Sequence, residues 1–182
     1  MSRIISGRLK GRKIIAPKNL EARPTTDRAK EALFNILRHR ISFEETDALD
    51  LFGGIGSISF ELASRGCPSV ITVEWDARSV AFIKTLKEKL EVDEIEIHKI
   101  DALRYVKSTF QRFDLIFADP PYAYEHYDEL IEEILGRNLL NSNGLLIVEH
   151  GQESTLDHLP FYTETREYSR VHFSFFSPSD IL

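Results

Sequence analysis

Asp119-Pro120-Pro121-Tyr122 is the run in this sequence whose residue types and spacing could do chemistry. Two successive prolines fix φ at about −65° and delete two backbone donors, so the segment is stiff and its carbonyls point outward. The Asp119 carboxylate and the Pro120 carbonyl are two acceptors that can aim at one –NH2 group. They would hold both its hydrogens and localise its lone pair on nitrogen. An amide-like or aniline-like amine held in this way can attack a methyl group in line with a sulfonium. No strong base is needed first, because the proton can leave afterwards. Tyr122 adds an aromatic face on which an extruded base can stack, worth about 1–3 kcal/mol. The expected chemistry is methylation of an exocyclic amino group.

That loop needs a strand to hold it, and Phe113 to Ala118 is an apolar run ending one residue before it. From residue 46 onward such runs alternate with helical patterns. Strands are expected at 48–52, 70–74, 95–100, 113–118 and 144–149, and helices at about 57–65, 77–90, 102–110 and 127–136. Apolar strands alternating with helices indicate a parallel sheet covered on both faces. Residues 161–168 and 170–176 alternate aromatic with polar side chains and read as a closing antiparallel hairpin. Phe161, Tyr168, Phe173, Phe175 and Phe176 are therefore expected in the sheet core.

In such a sheet, ligands bind at the carboxyl ends of the strands near the point where strand order reverses. Asp50 closes the first strand, and Gly53, Gly54 and Gly56 make a turn that lets a ligand approach the backbone. Glu74 follows Gly53 by 21 residues, the spacing at which a carboxylate accepts ribose hydroxyls. Trp75 beside it could flank an adenine ring, and Asp101 ends the third strand. Four converging carboxylates, counting Asp119, are costly unless the ligand brings donors or positive charge. S-adenosylmethionine brings both. A nicotinamide dinucleotide, with its anionic pyrophosphate, does not, and Ser59 stands where its fingerprint needs a third glycine.

The net charge of −6 is unevenly spread: residues 1–40 hold eleven Lys/Arg against three Asp/Glu, the remaining 142 hold twelve against twenty-six. This suggests a basic arm on an acidic body. Arg3-Ile4-Ile5 and Lys13-Ile14-Ile15 flank Gly7-Arg8-Leu9-Lys10-Gly11-Arg12, a hairpin with a cationic turn. Thr26 or Asp27 can cap a helix that hides Ala29, Ala32, Leu33, Ile36 and Leu37 and shows Arg28, Lys30, Arg38 and Arg40. The division expected is a basic hairpin arm over residues 1–22 and an α/β Rossmann-like domain over 23–182. No apolar run approaches the roughly 18 residues of a membrane span. Cys67 is the single cysteine and the histidines lack ligand spacing, so no metal is expected and a cytoplasmic protein is.

The combination resembles one family across nearly the whole chain. Arg3-Ile4-Ile5-Ser6-Gly7, Lys10-Gly11-Arg12-Lys13-Ile14 and Arg23-Pro24-Thr25-Thr26-Asp27-Arg28, joined to Asp119-Pro120-Pro121-Tyr122, look like the bacterial 16S ribosomal RNA guanine-N2 methyltransferases that modify guanine 966. The resemblance implies a seven-stranded mixed sheet, S-adenosylmethionine as methyl donor, and 16S ribosomal RNA in the small subunit or its assembly intermediate as substrate. It also implies that residues 23–28 fold over cofactor and target base. Asp119, Pro120 and Tyr122 would orient and stack the guanine. Thr26, Asp50, Gly53, Gly54, Gly56, Glu74, Trp75, Asp101 and Ala102 would hold the cofactor. Arg3, Arg8, Lys10, Arg12, Lys13, Arg23 and Arg28 would meet RNA phosphates. Ile55 stands where the family's glycine loop commonly has Ser or Thr, which removes a hydroxyl.

Three other readings remain open. Adenine N6 in DNA could replace guanine as acceptor. A glutamine amide fits less well, since its loop normally begins with Asn and needs no basic arm. An RNA-binding module with a vestigial cofactor fold would retain the arm without the chemistry.

Overall fold

The apolar runs and helical patterns assemble into one layered sheet, seen in a computed structural model that describes residues 2–20 and 26–178. β1 (Ser2–Arg3) and β2 (Lys13–Ile14) form a small antiparallel ladder. Then come α1 (Asp27–Leu37), β3 (Asp47–Leu51), α2 (Ser57–Arg65), β4 (Ser69–Val73), α3 (Ala77–Leu90) and β5 (Ile95–His98). The second half contributes α4 (Ala102–Ser108), β6 (Phe113–Ala118), α5 (Tyr127–Gly136), β7 (Leu140–His150), β8 (Tyr162–Tyr168) and β9 (Val171–Phe176). The seven-stranded sheet runs β5-β4-β3-β6-β7-β9-β8. β3 to β7 are parallel, and β9 lies antiparallel to β7 and β8. The mixed sheet and the short N-terminal hairpin are those expected from the sequence.

Alternation along each strand sends neighbours to opposite faces. Ala48, Val70, Leu115, Phe117, Ile147, Phe173 and Phe175 pack with Leu33, Phe60 and Ile83 of α1, α2 and α3, together with Ile4 and Ile14 of the hairpin. Leu49, Ile71, Ile116, Leu146, Val148 and Phe176 pack with Val106 of α4 and Leu130, Ile131 and Ile134 of α5. The helix ends are chemically marked. Thr26 Oγ1 accepts from Ala29 N at 3.2 Å at the start of α1, and Gly66, at φ 112°, turns the chain out of α2.

Some expectations need correction. Lys30 is not on the exposed face of α1 but wholly buried. Its Nζ donates to Arg3 O (2.7 Å), Ser2 Oγ (3.0 Å) and Ser57 Oγ (3.1 Å), with Glu61 Oε2 at 3.8 Å. Glu61, equally buried, accepts from Ile5 N (2.7 Å), Ser6 N (3.1 Å) and Arg65 Nε (2.8 Å). A buried charge persists when it is paired and fully hydrogen-bonded, and this pair is both. Burial is the main force lowering the Lys30 pKa, and the nearby Glu61 opposes it. The hairpin is thus clamped onto α2. At Gly7 (φ 84°) a Cβ would sit 1.7 Å from Ser64 O, so only glycine allows the approach through which Arg8 N reaches that carbonyl at 2.8 Å.

Phe161 leaves the expected core: it sits at φ 61° before β8 and is half exposed, because the ladder begins one residue later. Tyr168 is only partly buried, whereas Phe173, Phe175 and Phe176 are fully inside. β5 and α4 stop two residues early, at His98 and Ser108. β7 begins at Leu140 rather than 144, since Leu140 pairs with Phe113 across a ladder irregularity before Leu145 meets Leu115.

Candidate active site

The chain runs outward from β3 through β4 to β5, then returns to place β6 on the other side of β3, so strand order reverses between β3 and β6. At the carboxyl end of that seam lies a cleft of about 500 Å3. Asp50, Gly53, Gly54, Glu74 and Trp75 line one side of it; Asp119, Pro120, Pro121 and Tyr122 line the other. Thr26, at the start of α1, reaches its rim. Most of the sequence-expected cofactor and acceptor residues therefore share one cavity; Asp101 and Ala102 line a second recess instead, and Gly56 lines neither.

The turn after β3 is shaped by backbone that L side chains rarely adopt. Phe52, Gly54 and Gly56 have φ of 65°, 56° and 81°. At Gly53 a Cβ would meet Thr72 Cγ2 at 2.4 Å, so this glycine is what lets the turn lie flat on β4. Glu74 holds the turn as well: Oε2 accepts from Gly54 N at 2.7 Å and Oε1 from Asp76 N at 2.8 Å. Each oxygen keeps a further lone pair for a ligand hydroxyl. Ile55 is buried among apolar neighbours, so the position without a hydroxyl serves as a hydrophobic anchor.

Asp50 is almost fully buried, and burial pushes its pKa up to about 7, with Glu74 adding to the effect. Ser59 Oγ donates to Asp50 Oδ2 at 2.5 Å and shares a 2.7 Å hydrogen bond with Thr72 Oγ1. The serine that replaces the third fingerprint glycine thus fixes the carboxylate. Its role was missed from sequence, although its 9-residue spacing from Asp50 puts it on the first turns of α2.

A smaller recess opens beside the cleft, lined by Phe52, Glu74, Trp75, Asp101, Ala102, Pro121 and Tyr124. Trp75 is 70% exposed and borders both cavities. Asp101 caps α4, accepting from Arg104 N at 3.0 Å. Tyr124 was not anticipated. Its ring packs edge-on against Phe52 (5.2 Å) and Tyr127 (5.4 Å), and its buried hydroxyl has no hydrogen-bond partner among the described residues. An orphaned phenol costs about 1–3 kcal/mol unless a ligand satisfies it. The recess also contains an aromatic wall and acidic acceptors. A flat heterocycle with amino and ring-nitrogen groups, followed by a ribose, fits that donor and acceptor set.

On the acceptor side, Pro120 is buried and Tyr122 is 60% exposed. Tyr124 N donates to Pro121 O at 2.9 Å, closing the loop as a turn. Directly after β7, Gly151 lies against Tyr122, where an added Cβ would be 3.6 Å from Cε1. Tyr127, at the start of α5, has its pKa pushed up to about 12 by burial, then by the charges of Asp119 and Glu149, so it remains a donor. Glu149 and His150 also line the cleft and had no expected role. His150 Nδ1 donates to Gly151 O at 2.9 Å, which leaves Nε2 to accept from Ser174 Oγ at 2.7 Å. Burial lowers its pKa, so it stays neutral and holds the end of β7 to β9.

The expected phosphate contacts divide. Arg3, Lys10, Arg12, Lys13 and Arg28 are exposed. Arg8 is paired with Glu94 at 2.7 Å, which offsets part of the arm's charge. Arg23, Pro24 and Thr25 lie outside the described residues.

Residues 2–177 match the family described as Conserved hypothetical protein 95. The chain belongs to this family. It is the family to which the N-terminal motifs and the Asp-Pro-Pro-Tyr loop pointed. Ribosomal RNA small subunit methyltransferase D of Haemophilus influenzae is 34% identical over 161 residues, 85% of this chain and 81% of that protein. The protein of the same name from Escherichia coli K12 is 31% identical over 159 residues, 87% and 79% of the two chains. The solved structure of Escherichia coli yhhF, assigned as a methyltransferase, superposes with a TM-score of 0.83 at 25% identity, covering 96% of each chain. The fold of this family member is that of the S-adenosylmethionine-dependent methyltransferases. No helix among the described residues is long and apolar enough to cross a membrane.

Proposed function

We propose that this protein transfers a methyl group from S-adenosylmethionine to the exocyclic N2 of a guanine in 16S ribosomal RNA, at the position numbered 966 in the small subunit. The observation that carries the reading is one cleft with two walls: the Asp50–Glu74 side suited to a cationic nucleoside, and the Asp119–Tyr122 side suited to an amine on a planar base. Family membership and the name carried by the relatives support ribosomal RNA as the substrate class. The same relatives favour a cytoplasmic site of action.

When bound, S-adenosylmethionine supplies an electrophilic methyl group on a sulfonium. Asp50 and Glu74 offer carboxylates to its positive end and ribose, while Trp75, Asp101, Ala102 and Tyr124 enclose the adenine. Thr26, Gly53, Gly54 and Gly56 contribute the rim and a closely approachable backbone. Asp119 and the Pro120 carbonyl accept the two N2 hydrogens and leave the nitrogen lone pair facing the cofactor wall. Tyr122 stacks the extruded base. The proton released after transfer can pass to Asp119, which already holds it in a hydrogen bond. Arg3, Lys10, Arg12, Lys13 and Arg28, with Arg23, form the phosphate-binding face of the arm over residues 1–22 and the start of the 23–182 body. Each contact made there steepens the salt dependence of binding. Arg8 adds to this face to the extent that RNA competes with Glu94.

The test incubates the protein and labelled cofactor with small subunits lacking the modification, maps the labelled nucleotide and identifies the nucleoside by mass spectrometry. N2-methylguanosine is expected; N6-methyladenosine would replace this reading with the adenine one. Asp119→Ala should lower turnover by at least about a hundredfold while cofactor affinity, measured by calorimetry, stays near wild type. Wild-type turnover in that variant would sink the mechanism.

A further inference from the structure

We infer that Glu149 reads the Watson–Crick edge of the target base, accepting the N1–H that lies beside the reacting amine and so selecting guanine over adenine. The inference rests on the proposed methylation of guanine N2.

The placement follows from strand register. β6 and β7 are parallel neighbours whose last paired positions are Ala118 and Val148. Asp119, directly after β6, and Glu149, the next residue of β7, are the positions that follow, so they stand side by side at the carboxyl end of the sheet, where neighbouring strands are about 4.8 Å apart. Both line the cleft. Tyr127 lines the same cleft, and the charges of Asp119 and Glu149 both raise its pKa. Tyr122, the ring on which a base would stack, is seated against Gly151, two residues after Glu149. A base stacked there has Asp119 at one part of its edge and Glu149 at the next.

An ionised carboxylate only accepts hydrogen bonds. Two of them along one edge match a base that presents contiguous donors. Guanine does so, with N2–H2 followed by N1–H. Adenine does not: beside its N6 amine stands N1, a bare lone pair. Cytosine likewise has N3 beside its N4 amine. Either base would turn a lone pair toward Glu149, and two acceptors facing each other repel where guanine would form a hydrogen bond. Glu149 is 8% exposed, so water cannot easily relieve the mismatch. Asp119 alone would accept any of these amines. Glu149 supplies the discrimination.

The experiment compares small subunits whose target guanine is replaced by 2-aminopurine, which keeps the N2 amine but has no hydrogen on N1. Wild type should favour guanine by about a hundredfold or more in kcat/KM. In Glu149→Gln the side-chain amide can rotate to donate to the bare N1, and its oxygen can still accept from guanine. The preference should therefore narrow about tenfold or more, with affinity for S-adenosylhomocysteine unchanged by calorimetry. The missing O6 of 2-aminopurine is common to both proteins and cancels in the comparison. A preference equal in the two proteins, with N2-methylguanosine still the product, overturns the role of Glu149 and leaves the proposed function standing. Equal rates on both bases in wild type overturn it without any variant. A product other than N2-methylguanosine overturns both.

Discussion

Replacing Lys30 with Met should release the N-terminal hairpin from the body of the protein. The substitution keeps most of the side-chain volume but removes one charge and three donors. Arg3 O, Ser2 Oγ and Ser57 Oγ lose the ammonium at 2.7, 3.0 and 3.1 Å. Glu61 remains fully buried with Arg65 and two backbone N–H groups, but without its second cation. Removing one partner of a buried pair costs about 3–5 kcal/mol. The retained Arg65 contact argues for the lower end, about 3 kcal/mol. For a chain of this size that is a fall in Tm of about 6–12 °C. Urea unfolding gives the free energy, and trypsin cleavage at Arg8, Lys10, Arg12 and Lys13 reports whether the hairpin has come loose. A loss under about 1 kcal/mol with the hairpin still resistant would refute the clamp. So would losses from Lys30→Met and Glu61→Gln that simply add in the double variant, since a coupled pair must show less than the sum.

Two further predictions concern the cofactor wall. The Asp50 pKa is raised from 3.8 unfolded to about 7 folded, so its protonated form favours the fold: that contribution is complete below pH 4 and is lost as pH rises through 7. Stability of the ligand-free protein should therefore decline between about pH 4 and 7 by a component that Asp50→Asn abolishes. Cofactor binding near pH 6.5 should release a proton, read by calorimetry in buffers of different ionisation enthalpy; no difference between buffers would contradict it. Tyr124→Phe removes a buried hydroxyl that has no partner among the described residues. It should leave the free protein as stable or more stable, by about 1 kcal/mol, while weakening cofactor binding about tenfold. Lower stability together with unchanged affinity would show that the hydroxyl does not face the ligand.

Local pattern made some elements legible and hid others. α3, β6 and α5 begin and end where the apolar periodicity does. The start of β7 was hidden because Asn141-Ser142-Asn143-Gly144 has the composition of a turn, although Leu140 still pairs with Phe113. Lys30 reads as a surface lysine because its periodicity belongs to a polar face; its partner Glu61 is 31 positions away, and only tertiary packing brings them together. Arg8 and Glu94, 86 positions apart, met for the same reason. In the site, the carboxylates and glycines were visible as types at strand ends. Ser59, Tyr124 and Glu149 were not, since each matters through what it faces across the sheet edge rather than through any motif of its own.

The reversal of strand order has a consequence for how the molecule comes into being. β3, the first strand of the sheet to be made, has β4 as one neighbour, 22 residues on (Asp47 with Ser69); its other neighbour is β6, 67 residues on (Ala48 with Leu115). Closing the longer loop carries the larger entropic cost and comes late in synthesis. Glu61, the anchor of the N-terminal clamp, and the wall bearing Asp50 and Glu74 can thus be assembled while the strand leading to Asp119 is still being made. The nascent chain would acquire the half proposed to bind the nucleoside first and the half proposed to recognise the base second, and the cleft exists only once that last seam zips shut.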